Sequence, residues 1–259
     1  MSLALSFEQL DSIAIIRLNR PEKLNALSRE MILALSEVFK NIGGNLDLRS
    51  IILTGAGNKA FSAGTDISEL IGLDKDRARE VSARGQALCN QIESCHVPVI
   101  AAINGIAAGG GCELALACHI RIASSNASFS LPETKLGVIP GYGATQRLVR
   151  EIGKGRAFEM MLTGRSVPAE EALQFGLINR LTTPNNLLRE GEALGQEIAN
   201  LAPLAIRASL EAVTRGTELP LADGLALEAE LFAALFATDD MREGTRAFLE
   251  KRPPIFKGT

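Results

Sequence analysis

Short apolar runs alternate with segments of helical periodicity over the first 200 residues of the chain. The apolar runs predict strands at residues 12–18, 50–54, 98–103, 119–123 and 177–181. Between the first two runs, a helix is predicted from the capping Ser28 to a stop at Gly43 and Gly44. Regular alternation of strands and helices predicts an α/β core.

From residue 184 onward the chain carries only helical patterns. Helices are predicted over residues 186–201, 205–215, 221–237 and 239–251. We therefore expect a core over residues 1–200 and a helical region over residues 201–259. The segment 221–237 is apolar around most of its circumference, which predicts either a subunit interface or packing within the chain's own core. The polar stretch 73–80 has no firm pattern, and we expect it to be mobile.

Composition and charge change this picture mainly by excluding partners. Of the 259 residues, 46% are hydrophobic and 22% are charged, as in an ordinary globular protein. The net charge of −3 provides no basic surface, which argues against nucleic acid as the main partner. No apolar run has the length of a membrane span, and the N-terminus lacks a signal-peptide pattern, so a cytoplasmic protein is expected.

The cysteines and histidines exclude two further classes of site. The cysteines are Cys89, Cys95, Cys112 and Cys118, without a C-x-x-C pair. With only His96 and His119 beside them, we predict no metal site, and we expect buried, reduced thiols. The same scarcity of histidine, together with the absence of G-x-S-x-G, argues against a Ser-His-Asp hydrolase.

The stretch 104–118 (NGIAAGGGCELALAC) is the strongest candidate for chemistry. It follows an apolar strand, and its three glycines, Gly109 to Gly111, precede a helix. Free N–H groups at such a helix start favour negative charge, and Glu113 in the first turn could move protons beside them. The spacing fits neither a phosphate loop nor a dinucleotide fingerprint. Two interpretations remain open, a catalytic site or glycines that only permit tight packing.

Two further glycine-rich turns belong with this stretch. Residues 62–67 precede a helical segment and provide a second set of backbone N–H groups. Residues 137–146 form a third turn that opens a helix at Ala144. The sequence thus predicts three glycine turns at helix starts.

The order of these motifs resembles the enoyl-CoA hydratase/isomerase (crotonase) superfamily. The matching segments are residues 19–27 (NRPEKLNAL), 60–66 (AFSAGTD), 104–118, 132–133 (PE), 137–141 (GVIPG), 145–148 (TQRL) and 247–256 (AFLEKRPPIF). The resemblance covers nearly the whole chain. It implies an α/β fold, a spiral of repeated ββα units, with a C-terminal helical oligomerisation region that builds homotrimers or hexamers.

The resemblance also implies acyl-CoA thioester substrates and a set of site residues. The backbone N–H groups of Thr65 and Gly110 would hold the thioester oxygen, and Glu113 and Glu133 would handle protons. By family analogy, Glu133 donates a proton to the α-carbon and Glu113 activates the water. Alone, Glu113 would be an ordinary first-turn helix charge and Glu133 a solvated loop carboxylate.

Further positions match the family's substrate and CoA contacts. They are Lys23, Leu24, Ala26, Ala63, Gly64, Asp66, Ile67, Gly109, Pro132, Gly141, Tyr142 and Lys257. Lys257 would reach CoA phosphates from a neighbouring subunit. Tyr142, the chain's only tyrosine, stands where a small residue is frequent, so it is expected either to narrow the acyl pocket or to face outward.

Together these residues predict an enoyl-CoA hydratase that adds water across the 2,3 double bond of a trans-2-enoyl-CoA. No metal or redox cofactor is expected, because the CoA thioester is itself the substrate. Family isomerases typically keep only the glutamate at position 133, so an isomerase or another crotonase-type lyase is the alternative. A non-catalytic RNA-binding homologue is a third hypothesis.

Overall fold

The computed structural model describes residues 4–42, 45 and 47–259, and within them the predicted α/β core is confirmed. The main sheet has the strand order β1-β2-β3-β5-β7-β10, antiparallel between β1 and β2 and parallel elsewhere. Its strands are β1 Leu5–Leu10, β2 Ile13–Leu18, β3 Ser50–Gly55, β5 Val99–Ile103, β7 Ile120–Ser124 and β10 Arg180–Thr182. The expected helix stop at Gly43 and Gly44 lies outside the described residues.

A second, smaller sheet packs beside the first and has the order β4-β6-β8-β9. Its strands are β4 Ala60–Ser62, β6 Ile106–Ala108, β8 Ser128–Ser130 and β9 Val167–Pro168. Each has three residues or fewer, so none carries a recognisable period-2 pattern. Sequence analysis missed β4, β6 and β9 for this reason, and it also missed β1.

The helices follow the predicted order closely. They are α1 Arg29–Ile42, α2 Lys75–Glu93, α3 Gly110–Ala117, α4 Ala144–Ile152, α5 Lys154–Thr163, α6 Ala169–Phe175, α7 Leu187–Ala199, α8 Pro203–Gly216, α9 Leu221–Leu235 and α10 Asp239–Glu250. The prediction for the stretch 73–80 is wrong, because α2 begins inside it at Lys75. Asp74 accepts a hydrogen bond from the Arg77 N–H and caps the helix.

Both faces of the main sheet are covered, which explains its continuous apolar strands. Along β3, Ile51 and Leu53 join the larger core beneath α1, α2 and α3, whereas Ile52 faces the opposite side. On that side Leu187 and Leu194 of α7 complete a smaller core. Strands β3 and β5 lead into β4 and β6 of the second sheet, whose carboxyl ends open into the turns at 62–67 and 109–111.

The last three helices lie outside these cores. Neither α8 nor α9 buries a residue, although the two helices pack against each other. The alternative prediction, that segment 221–237 packs within the chain's own core, is therefore wrong. Within the described residues, no helix combines the length and apolar character needed to cross a membrane.

Candidate active site

The three glycines of the central motif (residues 104–118) are Gly109 to Gly111, and each has a different structural environment. Gly109 follows β6 with a φ of 50°, in the left-handed region that favours glycine. A Cβ on Gly111 would overlap the backbone carbonyl of Ser62, so Gly111 permits close packing of α3 on β4. Gly110 instead faces Tyr142 and the hydroxyl of Thr65. One motif thus combines a left-handed turn, close packing of α3 on β4, and a glycine that contacts Tyr142 and Thr65.

The two predicted oxyanion donors lie on adjacent turns. Gly64 has a φ of 95°, and a Cβ there would fall 3.2 Å from the Gly110 nitrogen. A Cβ on Gly110 would in turn lie 3.2 Å from the Thr65 Oγ1. Within residues 4–42, 45 and 47–259, neither the Thr65 N–H nor the Gly110 N–H donates a backbone hydrogen bond. The two turns therefore adjoin, and among the described residues neither of these two amides has a backbone acceptor.

Glu113 is buried in the first turn of α3 and is held as a hydrogen-bond acceptor. Its Oε1 accepts from the N–H groups of Tyr142, at 2.8 Å, and Ala144, at 2.9 Å. Burial raises the pKa of Glu113, while these amides and the Gly143 amide act in the opposite direction. The third glycine turn therefore orients this carboxylate.

Glu133 has a contrasting environment. It opens a 3-10 turn after Pro132, and its Oε2 is buried without a hydrogen-bond partner among the described residues. Desolvation raises the pKa of Glu133 to about 7, and the charge of Glu113 adds to this shift. Its Oε1 would lie 2.9 Å from a Cβ on Gly109, so the carboxyl group sits directly against the central motif.

Arg147 holds the turn that presents these amides, a role that sequence analysis missed. Its Nη1 donates to the Tyr142 carbonyl at 3.2 Å, and its Nη2 lies 2.7 Å from the Oε2 of Glu93. Asn90 accepts a further hydrogen bond from Nη2 at 2.7 Å. Arg147 belongs to the recognised TQRL segment, but its partners on α2 are too distant in sequence to be predicted. The side chain of Ser82 donates to the Gly141 carbonyl at 2.6 Å and fixes the start of the turn.

Tyr142 points inward, so the alternative of an outward-facing ring is wrong. Its side chain is buried, with 5% of the residue's surface exposed. Its hydroxyl and that of Thr65 form a hydrogen bond at 3.0 Å. The second and third glycine turns therefore contact each other directly through the side chains of Thr65 and Tyr142.

The predicted CoA-binding loop lies against the second turn. Leu24 and Asn25 both have positive φ angles, and the buried Asn25 amide donates to the carbonyls of Ala56 and Ala60. The N–H of Ala63 donates to the Leu24 carbonyl at 2.9 Å. This bond joins the loop of Lys23, Leu24 and Ala26 to the turn of Ala63 and Gly64.

Asp66 and Ile67 extend the same surface. The Asp66 carboxylate accepts from the Ser68 hydroxyl and pairs with Arg20 at 3.0 Å. Ser68 first, then Arg20, lower the pKa of Asp66 against the effect of burial. Arg20 also donates to the Ala26 carbonyl at 3.0 Å. Ile67 remains half exposed beside them and is available for an apolar contact.

Lys257 is not brought to this site within one chain. Its backbone N–H donates to the buried Asp240 at 2.7 Å, and its exposed side chain lies near Arg49 and Arg207.

The cysteines are free and buried, as predicted, and desolvation raises the pKa of each thiol. Among the residues that the structure describes, no three His, Cys, Asp or Glu side chains form a metal-binding group.

Comparisons with known proteins agree with the motif order. The profile of the family described as enoyl-CoA hydratase/isomerase matches residues 8–259. The short-chain-enoyl-CoA hydratase of Clostridium acetobutylicum is 40% identical over 95% of this chain and 94% of its own. The crotonyl-CoA hydratase of Syntrophomonas wolfei is 40% identical over 96% of both chains. A crystal structure of an enoyl-CoA hydratase from Bacillus anthracis has a TM-score of 0.96 at 40% identity, covering 99% of this chain and 100% of that one. The chain belongs to the enoyl-CoA hydratase/isomerase family.

Proposed function

We propose that the protein is an enoyl-CoA hydratase, which adds water across the 2,3 double bond of a trans-2-enoyl-CoA. One observation carries the proposal: two carboxyl groups with opposite environments flank two unoccupied backbone donors. Glu113 is fixed by amides, whereas Glu133 is desolvated and unpartnered at its Oε2. An unpartnered buried carboxyl oxygen destabilises the fold, so a ligand or a reacting atom is a physical reason to keep it.

The oxyanion donors supply the electrostatic part of catalysis. The N–H groups of Thr65 and Gly110 would bind the thioester oxygen, which gains charge as the enolate forms. Because both donors are fixed backbone groups, they require little reorganisation as that charge develops. The unoccupied state of the two amides in the described structure supports this role.

The two glutamates divide the proton transfers. Water attacks the β-carbon as Glu113 takes one of its protons, and the electrons of the double bond move toward the thioester oxygen. The enolate then collapses as Glu133 donates its proton to the α-carbon. Both hydrogen bonds to Glu113 end on Oε1, so we assign Oε2 to the water. Proton exchange with solvent then returns Glu113 to its ionised form and Glu133 to its protonated form. The product therefore differs from the substrate by one water molecule.

The remaining site residues serve binding. We propose that Lys23, Leu24, Ala26, Ala63, Gly64, Asp66 and Ile67 line the path of CoA, and that Gly109, Pro132, Gly141 and Tyr142 surround the acyl end. The substrate carries its own activating group, so the proposed reaction needs no metal or redox cofactor.

We further propose a homotrimer or hexamer in which residues 1–200 form the acyl-CoA-binding core and residues 201–259 form the assembly region. Exposed apolar side chains support this, namely Leu221, Leu225 and Phe232 on α9 and Phe236 directly after it. Lys257 would then act on the CoA of a neighbouring subunit.

A cytoplasmic location is proposed because four free thiols suit a reducing compartment.

The test is loss of the enoyl-thioester absorbance with purified protein and a series of trans-2-enoyl-CoAs. We expect Glu113→Gln and Glu133→Gln each to lose roughly 10²–10⁴-fold in turnover, the range for a positioned acid or base, while acyl-CoA binding persists. Glu170→Gln, an exposed change on α6, is the matched control and should behave as wild type. Full activity of Glu113→Gln, with loss in Glu133→Gln alone, would favour the isomerase. Salt-sensitive RNA binding without any thioester turnover would favour the RNA-binding hypothesis.

A further inference from the structure

The Tyr142 ring occupies a fitted recess between α2 and the central glycine motif. A Cβ on Gly85 of α2 would overlap the ring, so only glycine at this position admits it. On the other side, a Cβ on Gly110 would lie 3.0 Å from the ring's Cε2. The hydrogen bond to Thr65 fixes the far end of the side chain. Two glycines and one hydroxyl therefore hold the ring in a single position.

Gly85 is informative because it lies in the middle of a helix. Glycine destabilises a helix interior relative to alanine, since it loses more backbone freedom on folding. Gly85 has no positive φ that would require glycine, and the ring of Tyr142 is what its missing side chain makes room for. The two residues are complementary in volume, and the recess is built for a large side chain at position 142.

Tyr142 also connects the two groups that we assign to the reaction. Its backbone N–H donates to Glu113, which we assign to the water. Its hydroxyl contacts the side chain of Thr65, whose N–H we assign to the thioester oxygen. In the proposed complex, the acyl chain would continue beyond the β-carbon, the atom to which Glu113 directs the water. Tyr142, with 5% of its surface exposed, lies between Glu113 and Thr65, next to the position assigned to that carbon.

We propose that Tyr142, seated against Gly85 and bonded to Thr65, is the end wall of the acyl pocket and restricts the enzyme to short acyl chains. This inference rests on the proposed hydratase function and names its substrate class. The hydrogen bond to Thr65 matters because it prevents the ring from swinging aside for a longer chain. The close fit at Gly85 and Gly110 blocks movement in the other two directions.

The experiment compares kcat/KM for trans-2-enoyl-CoAs of increasing length in wild type and Tyr142→Ala. We expect wild-type kcat/KM to fall at least ~10-fold from the four-carbon to the eight-carbon substrate, since even one misfitting methylene group has an effect of this order. Whatever the loss on the four-carbon substrate, the eight-to-four-carbon ratio should rise at least ~10-fold in Tyr142→Ala. An unchanged ratio in a folded, active Tyr142→Ala would overturn the proposal.

Two variants separate the wall from other effects. Tyr142→Phe keeps the ring, so its ratio should stay closer to wild type than to Tyr142→Ala; a ratio equal to that of Tyr142→Ala would contradict a steric wall. Phe39→Ala opens the core on α1, away from the site, and should leave the ratio unchanged. A rise of the eight-to-four-carbon ratio in Phe39→Ala as well would mean that a general loosening of the core, and not loss of the wall, explains the result.

Binding of saturated acyl-CoAs to wild type keeps the test independent of variant folding. Inhibition constants should rise as the acyl chain grows from butyryl to octanoyl, and equal or tighter binding of octanoyl-CoA would overturn the proposal. Absence of turnover with every enoyl-CoA would instead reject the proposed function itself. A broad chain-length profile in an active wild-type enzyme would reject only the role of Tyr142.

Discussion

Arg147 forms a two-pronged ion pair with Glu93, with Nη2 to Oε2 at 2.7 Å and Nε to Oε1 at 3.1 Å. The pair connects α4 to α2 and leaves Nη1 of the arginine to hold the Tyr142 carbonyl. The peptide groups on either side of this carbonyl donate to Glu113 through the N–H groups of Tyr142 and Ala144. The ion pair therefore fixes the orientation of the Glu113 carboxylate, our proposed base, without touching it.

Arg147→Lys should lower kcat by roughly 10–100-fold, because a displacement of about 1 Å at a reacting group has effects of this size. Lysine keeps the charge but loses the planar fork that serves Glu93, Asn90 and the Tyr142 carbonyl together. KM should change by less than about threefold, since the residue does not contact the substrate. The measurement is steady-state hydration with a short enoyl-CoA.

Arg150→Lys is the matched control on the same helix. Arg150 pairs with Glu218 at 3.3 Å, and both side chains are more than half exposed, so little depends on its geometry. Equal behaviour of Arg147→Lys and Arg150→Lys would refute the positioning role.

The pH dependence of hydration should report the protonation of Glu133. The proposed donor must be protonated, and burial raises the pKa of Glu133 to about 7. The competent form is present below that pKa and is lost above it, so kcat/KM should fall by ~10-fold per pH unit on the alkaline side. On the acid side, protonation of Glu113 should reduce the rate. A value of kcat/KM that rises through pH 7 and beyond would show that Glu133 acts as an ionised base.

Glu133 should also make stability depend on pH. Between the ordinary pKa of 4.5 and about 7, the unfolded chain has lost this proton while the folded protein retains it. The unfolded state therefore binds fewer protons, and the free energy of unfolding decreases as pH rises through this window. Above it, Glu133→Gln should be more stable than wild type by ~1–2 kcal/mol, a value reduced for the partial exposure of the group.

Urea denaturation at pH 5 and pH 8 tests this linkage. The advantage of Glu133→Gln should be larger at the higher pH, and Glu170→Gln should show no such difference. A glutamine variant less stable than wild type at pH 8 would mean that the carboxylate has a partner in the fold, contrary to its unpartnered Oε2.

The exposed face of α9 makes assembly testable. We expect sedimentation to give a trimer or hexamer, and Phe232→Glu, at a side chain now 64% exposed, to dissociate it. Leu33→Glu changes an exposed leucine on α1 and should leave the assembly intact. A stable, active monomer of wild type would remove both the interface and the proposed role of Lys257.

Local patterns predicted the parts of the fold that have strong local causes. The apolar run that became β5 and the Ser28 cap of α1 are examples, since the Ser28 hydroxyl accepts from the Met31 N–H. The same patterns placed Glu113 in the first turn of a helix after a glycine motif. Motif order, not periodicity, added Thr65 and Glu133.

What sequence analysis missed depends on contacts between distant residues. The strand β6 owes its conformation to pairing with β4 and β8, not to its own three residues. The ion pair of Arg147 joins positions 54 apart in sequence. The inward orientation of Tyr142 depends on the space at Gly85, which no pattern around position 142 indicates.

Replacing the glycines of the central motif one at a time should separate packing from catalysis. Gly111→Ala places a Cβ against the Ser62 carbonyl, which is backbone and cannot move aside, so we expect a loss of about 1–3 kcal/mol or more in stability. The nearest atoms to the Cβ of Gly110→Ala belong to the side chains of Tyr142 and Thr65, at 3.0 and 3.2 Å, and Gly110 has no positive φ. It should fold with a smaller loss of stability than Gly111→Ala, because side chains can shift where a backbone carbonyl cannot, yet the displaced ring and hydroxyl should disturb the oxyanion site, with a turnover loss of ~10²–10³-fold. Melting and turnover measured on the same samples decide the matter. Full turnover in a folded Gly110→Ala would show that this glycine does not face the thioester oxygen, whereas a Gly111→Ala variant as stable as wild type would contradict the packing role assigned to its neighbour.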